Sequence, residues 1–216
     1  RPLLVAQDTE WGVGMRIDEA TSFPPAMAIG ATRDASHAFR VGYVTAREAR
    51  ALGVHQLYAP VADVNNNPEN PIINIRSFGG APPLVGTMAS AFVRGAQAGG
   101  TLATVKHFPG HGDTDVDSHL NLPVLRFDRA RLDSLELPPF RQALDAGARS
   151  VMTGHLALPA LAADSVPATL SRPLTHDLLR DDLGFDGLVV TDALNMKAVT
   201  RTFGVGETAV RVLEAG

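Results

Sequence analysis

The chain has 216 residues, 45% of them hydrophobic and none of them cysteine, which is enough apolar material for one sizeable core and leaves no thiols for disulfides or thiolate metal sites. A formal net charge of −4 without any basic stripe argues against nucleic acid as a partner. No run approaches the ~18 to 20 apolar residues that a membrane helix needs, so no membrane span is expected.

The N-terminus does not fix the compartment: Leu3-Leu4-Val5-Ala6 is far too short to read as a signal sequence. The chain opens at Arg1 without a methionine and reads as a piece of a longer protein. A cytoplasmic location is expected, with a periplasmic or secreted one as the alternative; the oligomeric state is not written in the sequence.

Taken in order, short apolar runs alternate with helix-period segments. Residues 3–8 read as a first strand ending on an acid. Residues 34–52 read as a helix with Phe39, Tyr43 and Ala46 on one face and Gly53 as its stop. Residues 56–64 form a second strand running into Asn65-Asn66-Asn67-Pro68. A helix over 87–98 follows, with Met88, Ala91, Phe92 and Ala96 on one face, and Gly99-Gly100 ends it.

Residues 102–108 are the third strand. Asp128 starts a short helix with Leu132 and Leu135 turned inward, Pro139 restarts a turn through Leu144, and residues 150–156 are the fourth strand. Ser171 reads as the N-cap of a helix with Leu174, Leu178 and Leu179 as its stripe, ending at Gly184. Residues 188–191 make a fifth strand, and a last helix carries Ala209, Val212 and Leu213.

Five β-then-α units in succession predict an α/β fold with a parallel sheet, and the near-continuous apolar strands fit a sheet covered on both faces. Asp8, Asp63, Lys106 with His107, His155 and Asp192 all fall at or just past the C-terminal end of a strand. In a (β/α)8 TIM barrel that rim carries the active site. A closed barrel needs eight strands and typically ~250 residues, so the expectation is a truncated barrel of about five parallel strands, with residues 1–216 incomplete at both ends.

The stretch from Lys106 to His119, Lys-His-Phe-Pro-Gly-His-Gly-Asp-Thr-Asp-Val-Asp-Ser-His, follows the third strand with three histidines and three aspartates. Such a loop adds little to a core, and its carboxylates repel unless a ligand, a cation or a histidine partner is present. This motif, continuing to Leu122-Pro123, resembles the signature of the family 3 glycoside hydrolases, in particular their bacterial β-N-acetylglucosaminidases of the NagZ type. Asp8-Thr9-Glu10-Trp11-Gly12, Ala59-Pro60-Val61-Ala62-Asp63-Val64, Arg76-Ser77-Phe78-Gly79 and Val190-Thr191-Asp192-Ala193-Leu194-Asn195-Met196 are similar to further segments of that family, in the same order. One departure is Trp11-Gly12-Val13-Gly14, which stands where the family more commonly has a Gly-Gly pair.

The resemblance implies a retaining glycosidase with Asp192 as nucleophile and His119, paired with Asp117, as acid/base. A carboxylate two residues before an imidazole on a turning loop can hold one ring nitrogen's proton while the other faces the glycosidic oxygen. Glu10 and Asp113 are the next acid/base candidates. Asp8, Arg76, Lys106 and His107 would bind the hydroxyls of the terminal sugar, and the substrate would be a small carbohydrate with terminal β-N-acetylglucosamine, of cell-wall or chitin type. Neither cofactor nor metal is implied. In the complete barrel that the resemblance implies, one strand precedes Leu3 and two follow Gly216.

Plainer readings stand beside these. Asp63 is most simply a cap of the following helix, His111 and Asp113 local stabilisers of their loop, His155 a satisfied histidine near the core, and His37, His55 and His176 surface residues. A calcium loop from Asp113, Asp115 and Asp117 fails at its sixth position, Ser118, and its twelfth, Val124. Zinc held by His107, His111 and His119 lacks HExxH or cysteine spacing, and Gly12-Val13-Gly14 lacks the third glycine of a dinucleotide fingerprint. A non-catalytic sugar-binding domain predicts loss of Asp192 or His119, and both are present. A β-glucosidase-like or phosphorolytic enzyme of the same family remains the alternative within the resemblance.

Overall fold

The computed structural model describes residues 2–162 and 166–216. Its spine is a sheet of five parallel strands, β1 (Ala6–Gln7), β2 (Gln56–Leu57), β3 (Leu102–Phe108), β4 (Ser150–Thr153) and β5 (Leu188–Thr191), ordered as they occur in the chain. Ala6 lies opposite Gln56, Gln56 opposite Leu102, Thr104 opposite Ser150, and Ser150 opposite Leu188. Each strand pairs with the next in sequence, which gives a half barrel. Inside it, Gln56 Nε2 donates to Thr104 Oγ1 at 3.0 Å and Ser150 Oγ at 2.9 Å, so the polar layer crossing β2, β3 and β4 is hydrogen-bonded.

The helices are α1 (Ala26–Ala31), α2 (Ala35–Ala51), α3 (Pro82–Ala98), α4 (Arg129–Arg131), α5 (Leu137–Asp145), α6 (Lys197–Thr200) and α7 (Val205–Ala215), with wider π turns at Leu132–Glu136 and Pro173–Asp182. Asp34 caps α2 by accepting from Ser36 N, and Asp128 caps α4 by accepting from Arg131 N. One continuous core joins α2, α3 and α5 to the sheet, with Phe92, Phe108, Phe140, Leu137 and Leu174 among its fully covered large side chains. Among the described residues no helix is long and apolar enough to cross a membrane.

Four expectations change. The first strand shortens to two residues: Leu3, Leu4 and Val5 are exposed, because β1 is an edge and of these three Val5 alone engages the second-strand segment, its carbonyl accepting from His55 N and Gln56 N and its N–H donating to His55 Nδ1. The second strand's regular ladder stops at Leu57, near Pro60, which has no N–H to give; beyond it the Ala59 and Pro60 carbonyls still accept from Thr104 N and Lys106 N, and Val61 bridges Lys106. Phe39 and Tyr43 stack on each other at the surface, and α2 instead buries Ala38, Val41, Gly42, Thr45, Ala46 and Ala49. Small residues face inward there because α2 and α3 approach so closely that a Cβ on Gly95 would sit 2.1 Å from the Phe39 carbonyl oxygen.

The fourth change concerns the later helices. The Ser171 hydroxyl does not cap the helix it precedes; its carbonyl accepts from Leu174 N and Thr175 N. In α7 the covered side runs through Thr208, Val212 and Ala215, leaving Ala209 and Leu213 facing outward, because α7 packs mainly onto residues 168–170 and Pro173–Asp182, with Val212 in a small cluster with Val166, Leu170, Val199 and Phe203. The expected stripes at 87–98 and 174–179 bury as their spacing predicts.

Candidate active site

The C-terminal ends of the strands converge on one cleft, the relation that a barrel rim imposes. Asp8 and Glu10 arrive from β1, Lys106 and His107 from the end of β3, Arg76 from the turn Asn74–Arg76, and Asp192 from the residue after β5. Lys106 Nζ lies 2.7 Å from Asp8 Oδ1 and 2.7 Å from Glu10 Oε1. Arg76 grips Glu10 through both nitrogens of its fork, Nη2 to Oε1 at 2.8 Å and Nε to Oε2 at 3.0 Å. Arg16 closes the outer side against Asp8 at 3.5 Å.

Beneath this charged rim lies Asp63, fully buried. Its carboxylate accepts the His107 ring Nδ1–H at 2.7 Å, the His107 backbone N–H at 3.2 Å and the His111 backbone N–H at 2.7 Å. Asp63 therefore caps the start of the loop after β3, and not a helix. Burial pushes its carboxyl up, but His107, His111 and these N–H groups outweigh that and hold it below the usual carboxylate range. With Nδ1–H committed to Asp63, His107 Nε2 is left to accept from the Arg76 guanidinium, 3.3 Å away.

The loop from 109 to 119 is fixed at its near end. Asn70 donates to the carbonyls of His111 and Gly112 at 2.8 and 2.9 Å, and Gly112 rests so tightly on the Val64 backbone that a Cβ would come within 1.8 Å of its carbonyl oxygen. His111 is buried with Nδ1 on Thr114 Oγ1 and Nε2 on Ser118 Oγ, and burial, with repulsion from His107, lowers it to about 4. It is thus a neutral strut of the loop, as expected, and both its nitrogens are committed. His107, His111 and His119 accordingly do not converge as metal ligands.

At the far end of the loop His119 Nδ1 lies 2.8 Å from Asp117 Oδ1, and the same oxygen accepts the His119 backbone N–H at 2.7 Å. A carboxylate only accepts, so Nδ1 carries the proton and Nε2 is the free nitrogen at the cleft. The His119 ring is largely exposed, whereas Asp117 sits behind it and does not line the cleft. The carbonyl of His119 accepts from Lys197 N at 3.4 Å, which ties this end of the loop to the segment following Asp192.

Asp192 is half-buried, with its N–H on the Thr153 carbonyl at 3.0 Å and its Oδ1 accepting from Ala193 N at 2.7 Å. Burial raises its carboxyl, but His107, the Ala193 N–H, His155 and Lys106 together bring it below the usual range, so it is an anion near neutral pH. His155 is buried as expected, bonded to Thr169 Oγ1 at 2.9 Å and to the Ala193 carbonyl at 3.0 Å. It steadies the turn just after Asp192 and stays neutral, because burial pulls it down.

Of the residues singled out from the sequence, Asp8, Arg76, Lys106, His107, His111, His119 and Asp192 line the cleft, and Asp117 supports one of them. Glu10 lines it too, but its surroundings favour the ionised form over a proton donor. Burial alone would raise its carboxyl; Lys106 and Arg76 reverse this and hold it far below the carboxylate range. Asp113 turns away from the cleft to Arg131, 2.9 Å from its Nη2. Met15, Arg16 and Ile72 also line the cleft and were not anticipated. In the sequence Glu10 stood as an acid/base candidate; the structure places it in the turn just after Asp8, as an anion held by Lys106 and Arg76.

Comparison with known proteins fits this geometry. A family model of the glycosyl hydrolase family 3 N terminal domain matches residues 1–216. The β-hexosaminidase A of Pseudoalteromonas piscicida is 39% identical over an alignment covering all of this chain and 39% of that protein. A β-N-acetylglucosaminidase/β-glucosidase of Cellulomonas fimi is 37% identical, covering all of this chain and 40% of that one. This chain therefore spans about two fifths of the length of these relatives.

Among solved structures, a glycoside hydrolase family 3 β-N-acetylglucosaminidase from Paenibacillus sp. FPU-7 has a TM-score of 0.96 at 48% identity, over 100% of this chain and 41% of that one. A β-glucoside phosphorylase, BglX, has a TM-score of 0.94 at 32% identity, over 100% and 41%.

Proposed function

Because this chain belongs to the glycosyl hydrolase family 3 N-terminal domain family, we propose that it supplies the catalytic half barrel of a retaining β-N-acetylhexosaminidase, removing terminal non-reducing β-N-acetylglucosamine through a covalent glycosyl-enzyme. The observation carrying this reading is that one cleft holds an ionised carboxylate, Asp192, and an imidazole whose Nδ1 is anchored on Asp117 and whose Nε2 is free.

In the first step the protonated His119 gives its Nε2 proton to the glycosidic oxygen while an Asp192 oxygen bonds to the anomeric carbon and the aglycone leaves as an alcohol. Asp117 stabilises the imidazolium without taking its proton. In the second step neutral His119 accepts a proton from water, whose oxygen displaces Asp192, and two inversions give net retention. Asp8, Glu10, Lys106 and Arg76 bind hydroxyls of the sugar, while His107 and Asp63 hold that floor in place. Arg76 and Lys106 offer donors to an acetamido oxygen, and Met15 and Ile72 offer an apolar surface to its methyl.

The cleft holds about 210 Å3, below the roughly 300–1,000 Å3 of drug-sized pockets, which suits one sugar ring better than a chain. The names of the relatives favour hexosamine substrates, with cell-wall muropeptides or chitin fragments as the source, and a cytoplasmic enzyme fits the former. A second reading, phosphorolysis, is favoured by the likeness to a β-glucoside phosphorylase and by a histidine that repels incoming phosphate less than a carboxylate would.

Both are tested in the full natural chain by comparing kcat/KM for aryl N-acetylglucosaminide and aryl glucoside, with and without phosphate. The reading predicts at least about tenfold preference for the acetamido sugar, equal to ~1.4 kcal/mol, and free N-acetylglucosamine as product in either buffer. Equal use of both sugars overturns the substrate assignment, and a sugar 1-phosphate product overturns hydrolysis.

A further inference from the structure

The loop bearing Asp117 and His119 is bedded on a second group of charges that the reaction does not use. Glu136 lies beneath it with its side chain fully buried, and Gly110 sits flush on that side chain: a Cβ at 110 would fall 2.8 Å from Glu136 Cβ and 3.1 Å from Oε2. Gly110 has φ +134°, so both its conformation and its lack of a side chain suit this seat. Three residues on, Asp113 Oδ2 accepts from Arg131 Nη2 at 2.9 Å. The same Nη2 stands 3.4 Å from Glu136 Oε1, and the Arg131 guanidinium lies 4.7 Å from the centre of the Phe127 ring.

One guanidinium nitrogen is therefore shared by two carboxyl groups, closely with the loop's Asp113 and distantly with the buried Glu136. The inequality matches a neutral Glu136. Its Oε2 has no hydrogen-bond partner among the described residues, a poor arrangement for an ionised oxygen in a dry site. The charged groups facing it are Arg131 from its own helical stretch, Asp113 from the loop and Asp63 from the segment after β2. Burial, with repulsion from Asp63 and Asp113, outweighs the attraction of Arg131 and lifts its carboxyl to about 7.

We propose that Arg131 is a positioning residue for the Asp117–His119 pair, holding their loop through Asp113, and that ionisation of the buried Glu136 draws Arg131 inward and loosens that hold. An ionised carboxylate in a low-dielectric pocket competes strongly for the nearest cation, whereas the exposed side of Asp113 is screened by water. The loop is then seated firmly at acidic to neutral pH and less so above it. This inference rests on the reading of His119 as acid/base, and the experiment separates the two.

Hydrogen–deuterium exchange of residues 110–121 is measured in the full natural chain at pH 6 and pH 8, corrected for intrinsic exchange, alongside kcat/KM for an unactivated disaccharide and a dinitrophenyl glycoside. In the unsubstituted protein, protection of this segment falls from pH 6 to pH 8. Glu136→Gln, which keeps the shape of the side chain, removes that fall; Arg131→Ala loses protection at both values, and Arg131→Lys regains part of it. Arg131→Ala also lowers the disaccharide-to-dinitrophenyl ratio by roughly tenfold to a hundredfold, the scale of a catalytic group misplaced by about an ångström.

Protection unchanged in both Arg131→Ala and Glu136→Gln overturns the proposal whatever the kinetics. Lost protection with an unmoved ratio overturns the positioning role. His119→Ala, run in parallel, reports on the acid/base reading alone: if its ratio is also unmoved, that reading has failed, and this inference with it.

Discussion

Asp63 Oδ2 lies 2.7 Å from His107 Nδ1, and Asp63 has no exposed surface. This buried pair joins the segment after β2 to the end of β3 and fixes the ring that backs Arg76 in the cleft. Removing one partner of a buried charge-assisted pair strands the other, so Asp63→Ala is expected to cost roughly 3–5 kcal/mol of stability. The loss of activity should exceed what the unfolded fraction explains, because the His111 N–H and the loop it starts lose their acceptor too. Urea unfolding with kinetics on the remaining folded protein checks this; an unchanged midpoint would show that the carboxylate does not hold the floor.

Glu10 sits where an acid/base could be sought, but Lys106 and Arg76 keep it ionised. Glu10→Gln weakens its charge-assisted contacts with Lys106 and Arg76; a net loss of about 1.5–3 kcal/mol, the worth of one such contact, lowers kcat/KM roughly tenfold to a hundredfold. The account predicts equal losses for poor and good leaving groups, since Glu10 transfers no proton. A loss confined to poor leaving groups would make Glu10 the acid and displace His119.

Glu136 sets a pH dependence of stability whose sign follows from its raised carboxyl, about 7 in the folded chain against 4.5 ordinarily. Between those values the folded state keeps a proton that the unfolded state releases, so this contribution is full below about 4.5 and is lost as pH rises through about 7. The span corresponds to roughly 3 kcal/mol. Denaturant unfolding at pH 5 and pH 8 should show Glu136→Gln gaining relative to the unsubstituted protein at the higher pH. A difference between the two proteins that does not change with pH would contradict the shift.

Much of this was legible in the sequence, and the failures have physical causes. The strands at 102–108 and 188–191 stood out because short apolar and β-branched runs, Leu102-Ala103-Thr104-Val105 and Leu188-Val189-Val190-Thr191, open them, and the rim residues because strand ends fix where side chains converge. Neither Phe39 nor Tyr43 could be placed correctly from periodicity, since the burying face of α2 is chosen by its close approach to α3, where Gly42 meets the Phe92 carbonyl and Gly95 the Phe39 carbonyl. Nothing in the local sequence around residues 128–136 sets Glu136 and Arg131 apart. Their meaning depends on Gly110 lying flush on Glu136 and on Asp113 reaching Arg131, contacts that no local pattern encodes.

The central claim is that Asp192 bonds to the sugar and His119 moves the protons, and one measurement tests both halves. His119→Ala in the full natural chain is mixed with dinitrophenyl N-acetylglucosaminide and followed by rapid quench, intact mass and peptide mapping. An activated leaving group departs without an acid, but the covalent sugar cannot then be released at a normal rate without the base. The account predicts a burst of dinitrophenol close to one equivalent and a one-sugar adduct on the peptide containing Asp192. No burst and no adduct, or an adduct on another carboxylate, would contradict it.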